Sequence, residues 1–185
     1  IDNNHMTNIS GLFAVGECDY HYHGANRLGA NSLVSCLFGG MVAGPQSLEY
    51  AKGLAVASES LRSSFFESEL KKEISINEKL LNANGKENPF RLHEELGNIM
   101  TDHVTVIRRN KNLAETDRKI EELLGRFQNL GLSDRSHWAN PVLPFARQLF
   151  NMLHLARAIT ISALKRDESR GAHYKPDFPE RNDKD

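Results

Sequence analysis

Hydrophobic residues recur at helical spacing through most of the chain after residue 57, and this pattern predicts a bundle of about four helices. The loops between the periodic segments are short, which favours antiparallel neighbours. The segments cover residues 58–82, 89–109, 112–129 and 141–166. We expect the charged positions between the apolar ones to face solvent.

The segment 141–166 is the most apolar of the four and is predicted to lie at the centre of the bundle. Its predicted core positions are spaced by three and four: Val142, Ala146, Leu149, Leu153, Ala156, Thr160 and Ala163. A second row widens the apolar stripe beyond one partner: Phe145, Phe150, Met152, Leu155 and Ile159. Two other segments carry one apolar face each, with Leu61, Phe65, Leu70, Leu80 and Leu81 in the first and Leu113, Ile120, Leu123, Leu124 and Phe127 in the second.

Polar residues mark both ends of the segment 89–109. Asn88 followed by Pro89 predicts a helix start, because asparagine caps free backbone N–H groups and proline suits the first helical position. Arg108 and Arg109 lie near the end of this segment, where cations interact favourably with the helix dipole. Asn110 is predicted to separate this helix from the next one.

The first 57 residues show a different pattern. Leu12 to Val15 is a short apolar run bounded by glycines, which predicts a buried strand of a parallel sheet. A helix is predicted over 32–43, with a break at Gly44-Pro45 and a continuation at an angle over 46–53. Three glycines predict close packing of this helix on a sheet: Gly39, Gly40 and Gly44. The predicted fold is therefore mainly α, with a remnant strand–helix unit of an α/β domain before an antiparallel helical bundle.

Composition excludes several classes of function. The chain has 185 residues, of which 39% are hydrophobic, enough for one core of ordinary size. Its 23 basic and 24 acidic residues nearly balance, so no nucleic-acid partner is predicted. Two lone cysteines, Cys18 and Cys36, suggest neither a disulfide framework nor a zinc site. The sequence has no long apolar run, so no direct insertion into a membrane is expected.

Residues 11–33 are the segment whose residue types indicate chemistry rather than packing. Gly16 lets a ligand approach the backbone, and Glu17 places a carboxylate at the end of the predicted strand, where it suits a ribose or ribityl hydroxyl. Arg27 can bind one carboxylate of a dicarboxylic acid through two hydrogen bonds. A helix that begins near Ser32 would offer its free N–H groups to a polar edge of a ligand.

The histidines give weaker signals. His21 and His23 form a His-x-His pair, but no third ligand lies at a natural spacing, so no metal site is predicted. His103 and His154 lie on helical faces and are interpreted as core or interface residues. Gly171, which follows the last predicted helix, fits its carboxyl-terminal cap.

Two motifs in residues 7–33 resemble known signatures. Thr7-x-x-x-Gly11-Leu-Phe-Ala-Val-Gly-Glu17 resembles the second FAD signature of two-dinucleotide-fold flavoproteins. His23-Gly-Ala-Asn-Arg-Leu-Gly-Ala-Asn-Ser-Leu33 resembles the signature of succinate dehydrogenase and fumarate reductase flavoprotein subunits. Residues 168–183 resemble the tail motif of the same subunits, so the resemblance spans essentially the whole chain. The helical middle and Gly-Glu-Cys-Asp-Tyr look most like the succinate dehydrogenase flavoproteins of Gram-positive bacteria.

The resemblance implies roles for individual residues. Arg27 matches the arginine that contacts the substrate carboxylate. The flavin-contacting positions of the family are occupied by Glu17, Asn31, Ser32 and Leu33. The roles of His23 and of the tail motif stay open. The resemblance implies no catalytic role for His173. The proton-transfer arginine of the family is expected upstream of this chain, so no catalytic residue is assigned here.

The implied activity is oxidation of succinate to fumarate by FAD, with electrons passed to iron–sulfur clusters and a quinone. The implied partners are succinate or fumarate, an iron–sulfur subunit and a membrane anchor subunit. The implied location is cytoplasmic, peripheral on the inner face of the cell membrane. The preferred direction of the reaction and the identity of the quinone stay open.

A full two-dinucleotide fold needs a Gly-x-Gly-x-x-Gly unit, which this sequence does not contain. We therefore expect a carboxyl-terminal piece of a larger subunit. Residues 1–57 are predicted to end an FAD-binding domain, 58–170 to form the helical bundle and 171–185 an extended tail. FAD is expected in the complete subunit and not in this piece alone, which is expected to be inactive.

Two alternative interpretations use the same residues. An L-aspartate oxidase-like flavoprotein shares the flavin and bundle plan, but that family is more often written Arg-Met-Ala-Ser-Asn-Ser-Leu, where this chain has Arg27-Leu-Gly-Ala-Asn-Ser-Leu33. A non-catalytic helical interaction module would make the motif a coincidence.

Overall fold

The computed structural model describes residues 1–19 and 23–184. Within them the chain forms five α-helices and, apart from isolated bridges, no strand. The helices are α1 Asn31–Lys52, α2 Ser63–Leu81, α3 Pro89–His103, α4 Asn110–Phe127 and α5 Val142–Lys165. The predicted mainly α class is confirmed. In the described part of the chain, none of these helices is both long and apolar enough to cross a membrane.

The chain separates into two compact units. The first contains residues 1–62 together with 170–172, and the second contains the other described residues. The first unit holds α1, and the second holds α2 to α5. The functional division predicted at residues 57 and 170 stays a prediction.

The predicted strand from Leu12 to Val15 is wrong. The segment is extended and forms one antiparallel bridge, between Phe13 and Met6. The backbone N–H of Thr7 donates to the carbonyl oxygen of Leu12 at 2.8 Å, so the segment folds back on the residues before it. A parallel strand needs neighbouring strands to satisfy its backbone groups, and the described residues supply none. Leu12 is accordingly 51% exposed rather than buried.

Helix α1 runs through Pro45 without interruption, so the predicted break after Gly44 is wrong. The fixed φ of proline is compatible with a helix, and its ring removes only one backbone donor. Hydrogen bonds on both sides of Pro45 keep the helix continuous. It ends at Lys52, with Gly53 as its C-cap.

Gly39 confirms the predicted close packing of α1, although its neighbour is a loop and not a sheet. A Cβ on Gly39 would lie 3.1 Å from Cβ of Val15 and 3.3 Å from Cε1 of His5. Gly40 and Gly44 face open space, so the prediction is wrong for these two. The close packing at Gly39 fixes the residue 5–15 segment against the middle of α1.

The second unit is a helical bundle in which α5 packs against α2, α3 and α4. All the predicted core positions of α5 are buried: Val142, Ala146, Leu149, Leu153, Ala156, Thr160 and Ala163. Leu81 of α2 lies in the same apolar core as Leu149, so the first and last helices of the bundle share a core. The predicted central position of α5 is confirmed.

The second apolar row of α5 is buried only in part. Phe145 stacks on Phe90 of α3 with ring centroids 4.5 Å apart, and Met152 packs against the core. Three members of the row are exposed: Phe150, Leu155 and Ile159. The prediction of a wider buried stripe is wrong there, because periodicity identifies an apolar face but not whether this chain covers it.

The apolar face of α2 is buried only at its carboxyl-terminal end. Leu80 and Leu81 pack in the core. Three residues of the predicted face are exposed: Leu61, Phe65 and Leu70. The helix also starts later than predicted, because residues Ser58–Ser60 form a separate 3₁₀ turn.

The predicted start of α3 is confirmed, whereas Arg108 and Arg109 lie beyond its end. The side-chain oxygen of Asn88 accepts hydrogen bonds from two first-turn backbone N–H groups at 2.9 and 3.3 Å. Nε of Arg108 donates to the carbonyl oxygens of Val104 at 3.0 Å and Thr105 at 2.9 Å, and so satisfies acceptors just beyond the helix. The helix itself ends at His103, earlier than predicted.

Arg126 of α4 joins this helix to two acidic residues. Its guanidinium donates two hydrogen bonds to Glu87, both at 3.0 Å, and two to Glu95 of α3 at 2.6 and 3.0 Å. These hydrogen bonds lower the pKa of both carboxyl groups. The predicted apolar face of α4 is buried on its other side, at Leu113, Ile120, Leu123 and Phe127 and partly at Leu124.

Two loops cross at Gly85 and Gly131, one before α3 and one after α4. The N–H of Gly85 donates to the carbonyl oxygen of Leu130 at 3.0 Å, and the N–H of Gly131 donates to that of Glu87 at 2.9 Å. A Cβ on Gly85 would lie 1.8 Å from the carbonyl oxygen of Asn129. A Cβ on Gly131 would lie 2.2 Å from the carbonyl oxygen of Gly85. Glycine is required on both loops because the two backbones touch.

We predict that Gly85→Ala lowers the free energy of unfolding by about 2 kcal/mol or more, since the new methyl group must separate two hydrogen-bonded backbones. The measurement is urea denaturation followed by circular dichroism. The matched control is Gly97→Ala in α3, where nothing lies within 4 Å of the added Cβ. This control should raise stability by about 0.5–1 kcal/mol, because alanine is the better helix former. An unchanged unfolding midpoint for Gly85→Ala would contradict the requirement for glycine.

Candidate functional site

Glu17 lies in a short 3₁₀ turn, Gly16–Cys18, at the end of the extended segment. Gly16 has a φ of +67°, and a Cβ there would lie 2.8 Å from Sγ of Cys36 in α1. Both facts favour glycine, because α1 packs closely against this backbone. The predicted approach of a ligand to Gly16 stays a prediction. The turn leaves the side chain of Glu17 exposed.

A buried contact between His5 and Asp19 lies at the turn that carries Glu17. Nδ1 of His5 lies 3.1 Å from Oδ2 of Asp19 and 3.2 Å from the carbonyl oxygen of Ala14. His5 and Asp19 are almost fully buried. Since Ala14 precedes the turn and Asp19 follows it, one imidazole restrains both of its ends. Sequence patterns did not identify this pair, because nothing in the spacing of residues 5 and 19 indicates contact.

The amino-terminal end of α1 begins at Asn31, after Ala30 with a φ of +67°. Alanine has no side-chain oxygen, so Ala30 cannot cap the free N–H groups of the first helical turn. Asn31 and Leu33 are exposed and Ser32 is half-buried. The backbone donors of this turn are therefore suited to a polar ligand edge.

Arg27 is exposed on the loop between residue 23 and α1. One terminal nitrogen of its guanidinium donates to the carbonyl oxygen of Leu28 at 3.1 Å. Next to it, Nδ2 of Asn26 donates to the carbonyl oxygen of Ala172 at 3.0 Å. The structure thus places the predicted site residues Glu17, Arg27, Asn31, Ser32 and Leu33 in the first unit. His23 is half-buried, while His21 lies outside the described residues.

A network of buried charged and polar side chains was missed by sequence reasoning. Its members lie in the second unit: Arg108, Glu168, His173 and Lys175. The charged composition of residues 168–185 gave no signal of burial. Nζ of Lys175 donates to the carbonyl oxygen of Leu164 at 3.0 Å and to Asp167 at 2.9 Å, which secures the loop after α5. Glu168 accepts from Arg166 at 2.5 Å and from the backbone N–H of Asn182 at 2.9 Å.

His173 is neutral in this network. A guanidinium nitrogen of Arg108 lies 2.7 Å from Nδ1, which must therefore accept, so Nε2 carries the proton and donates to the carbonyl oxygen of Arg166 at 3.1 Å. Burial lowers the pKa of His173, and the nearby cations Arg108 and Lys175 lower it further. Hydrogen bonds from Asn110 and Lys175 likewise lower the pKa of Asp167.

The predicted role of Gly171 as the cap of the last helix is wrong. Helix α5 ends at Lys165, and its C-cap is Arg166 in an extended conformation. Gly171 lies farther along, with a φ of +60°. His103 agrees with the predicted packing role: it is half-buried, and its Nδ1 lies 3.0 Å from Oγ1 of Thr116. His154 is exposed and packs edge-on against Phe150, so it is not a core residue of this chain.

Residues 93–185 match a family model described as fumarate reductase flavoprotein C-term. The chain belongs to the succinate dehydrogenase and fumarate reductase flavoprotein family. The resemblance identified from the sequence motifs is thereby confirmed. Residues 1–33 also match a model described as FAD binding domain, in agreement with the predicted flavin signature.

Curated and solved members of the flavoprotein family align with nearly all of this chain. It is 53% identical to the succinate dehydrogenase flavoprotein subunit of Bacillus subtilis over 99% of this chain and 31% of that protein. The fumarate reductase flavoprotein subunit of Haemophilus influenzae is 37% identical over 99% of this chain and 30% of its own length. An Escherichia coli quinol–fumarate reductase structure superposes with a TM-score of 0.86 at 34% identity, covering 98% of this chain and 31% of that one. The chain therefore spans about a third of the length of these relatives.

FAD is the cofactor of the complete flavoprotein subunit. The described residues of the first unit suit such a ligand. The uncapped first turn of α1 offers backbone N–H donors, and the exposed carboxylate of Glu17 offers an acceptor for a hydroxyl group. No group of three or more metal-ligating side chains lies together within the part of the chain that is described.

The neutral state of His173 predicts a loss of stability in mild acid. Well above its ordinary pKa of 6.5, His173 is neutral in both the folded and the unfolded chain, so its titration does not lower the free energy of unfolding. As the pH falls below 6.5, His173 becomes protonated in the unfolded chain but stays neutral in the folded chain. This difference persists until the pH reaches the lowered pKa of His173 in the folded chain. The free energy of unfolding should fall by up to about 1.4 kcal/mol per pH unit in this window.

The check is urea denaturation between about pH 7.5 and 5, above the range in which carboxyl groups titrate. His173→Gln should be less stable at neutral pH but should lose most of the slope. The control His137→Gln changes a side chain that is 72% exposed and should retain the slope. Equal slopes in all three proteins would rule out His173 as the titrating group.

Proposed function

We propose that the complete subunit containing this chain oxidises succinate to fumarate. The observation that carries the proposal is the exposed Arg27, in a loop that leads directly into the uncapped amino-terminal end of α1. A guanidinium binds a carboxylate through two parallel hydrogen bonds, so Arg27 would hold one end of the dicarboxylate. Bound FAD supplies the redox chemistry by accepting a hydride from the substrate.

Residues around the amino-terminal end of α1 are proposed to bind the flavin. Glu17 would accept a hydrogen bond from a ribityl hydroxyl, and the start of α1 would donate backbone N–H groups to a polar flavin edge. The proposed flavin contacts are Glu17, Asn31, Ser32 and Leu33. No residue of this chain is proposed as the proton acceptor, which in the resembled family is an arginine outside the matched motifs.

The proposed partners are an iron–sulfur subunit and a membrane anchor subunit, with electrons passing through the clusters to a quinone. The similarity to flavoprotein subunits and to quinol-linked solved relatives supports this assembly. The proposed location is the inner face of the cell membrane, where the subunit would be held peripherally by its partners. Succinate oxidation is proposed over fumarate reduction because the succinate dehydrogenase relative from Bacillus subtilis is 53% identical, against 37% for the fumarate reductase of Haemophilus influenzae.

In the complete, assembled enzyme, Arg27→Lys should lower kcat/KM for succinate about 10- to 100-fold, the equivalent of one charge-assisted hydrogen-bonded pair at roughly 1.5–3 kcal/mol. Lysine keeps the charge but loses the planar fork that holds two carboxylate oxygens. Arg27→Ala should be worse, because the charge is lost as well. The measurement is steady-state succinate oxidation with an artificial electron acceptor.

The matched control is Arg118→Lys, at an exposed position of α4 in the second unit. It should leave kcat/KM unchanged. Flavin content is measured in every preparation, so that a loss of cofactor is not mistaken for a loss of substrate binding. Unchanged kcat/KM for Arg27→Lys at equal flavin content would refute the substrate role of Arg27.

We also propose that the 185 residues alone neither retain FAD nor oxidise succinate. A dinucleotide is held by many hydrogen bonds spread over its length, and this chain corresponds to only about 31% of its Bacillus subtilis relative. The purified chain should therefore be colourless, with no flavin absorbance and no release of flavin on denaturation. A yellow preparation with stoichiometric FAD would contradict this proposal.

A further inference from the structure

Three residues of the tail, 170–172, pack on the loop that carries Arg27 and belong to the same compact unit. The carbonyl oxygen of Ala172 accepts the hydrogen bond from Nδ2 of Asn26 at 3.0 Å. The side chain of Arg170 lies beside Gly24, where an added Cβ would be 3.4 Å from Cδ of Arg170. The loop is thus contacted at two points, one of them directly before Arg27.

Gly171 brings the tail this close to the loop. Its φ is +60°, a conformation that side chains other than glycine rarely adopt. A Cβ on Gly171 would lie 3.1 Å from the carbonyl oxygen of Asn26, so glycine lets the two backbones approach each other. The side-chain amide of Asn26 therefore contacts Ala172, while its backbone carbonyl lies close to Gly171.

The loop needs such a restraint because its own sequence is permissive. Gly24 has a φ of +70°, and Gly29 has open space where a Cβ would lie. Glycines on both sides of Arg27 increase the number of backbone conformations that the loop can adopt. A hydrogen bond to the residue between them reduces that number at the position next to Arg27.

We propose that Asn26 and Gly171 are positioning residues for the substrate-binding guanidinium of Arg27, an inference that rests on the function proposed above. In this proposal Asn26 acts through the backbone and not by contact with the dicarboxylate. It fixes the backbone from which Arg27 projects, and Gly171 allows the tail to reach Asn26. A displacement of about 1 Å at a substrate-binding group can cost about 100-fold in rate, so this restraint acts directly on turnover.

The test uses the complete, assembled enzyme with Asn26→Asp and, separately, Gly171→Ala. Aspartate has the shape of asparagine but no N–H to donate, and its charge faces the carbonyl oxygen of Ala172. Alanine at 171 forces the tail away from Asn26. Each variant should lower kcat/KM for succinate about 10- to 100-fold, mainly through a higher KM, with flavin content and thermal unfolding close to wild type.

A second readout separates positioning from simple structural damage. Binding of malonate, a dicarboxylate that cannot be oxidised to an alkene, is titrated by the change in the flavin spectrum and should weaken in parallel with succinate. On an Arg27→Lys background, Asn26→Asp should add little further loss, because it acts through a guanidinium that is no longer present. The controls are Gly40→Ala in α1, where the added Cβ meets open space, and Asn98→Asp at an exposed position of α3.

The outcomes distinguish the inference from the proposed function. If Arg27→Lys impairs succinate oxidation while Asn26→Asp and Gly171→Ala leave KM unchanged at equal flavin content, the positioning inference is overturned and the function stands. If both variants lose flavin and turnover together, the contact is a folding contact and the inference is also overturned. If the wild-type enzyme does not oxidise succinate, the proposed function fails and the inference fails with it.

Discussion

Burial of one face of α5 is the constraint on which the helical unit depends. The side chains of this face are spaced by three and four residues and are covered by α2, α3 and α4, so three helices obtain their apolar contacts from the same row. Thr160 fits in this row because its hydroxyl donates to the carbonyl oxygen of Ala156 at 2.8 Å. The ends of the bundle depend on polar contacts instead, including the crossing of Gly85 and Gly131 and the buried loop around His173.

The sequence predicted α5 closely because a fully covered helix face has the same periodicity whatever covers it. It failed where the outcome depends on a neighbour. Leu12 to Val15 has the composition of a buried strand, yet the described residues contain no strand beside it. Phe65 and Leu70 of α2, and Leu155 of α5, have the spacing of core residues but are exposed. The local sequence predicts that a helix face is apolar, but only the three-dimensional structure shows which residues pack against that face.

In the candidate site, too, the sequence indicated individual residues but not the contacts between them. Arg27 and Glu17 could be proposed from the sequence because a carboxylate ligand and a ribityl hydroxyl suit these residue types near a glycine-rich turn, and their ligand roles stay proposals. The contacts that hold them could not be predicted. His5 reaches Asp19 through a conformation with a φ of +64°, and Asn26 reaches Ala172 across 146 positions of sequence. No periodicity or motif spacing connects such residues, because their contact is a result of the whole fold.

The separation of Asn26 and Ala172 also affects the order of events during synthesis. The loop that carries Arg27 is synthesised before its hydrogen-bond acceptor, which follows 146 residues later. At about 5–20 residues per second, this interval lasts roughly 7–30 s, long enough for each intervening helix to form. The nascent loop therefore spends this period without the contact to Ala172, and it acquires this hydrogen bond only after residue 172 has been made.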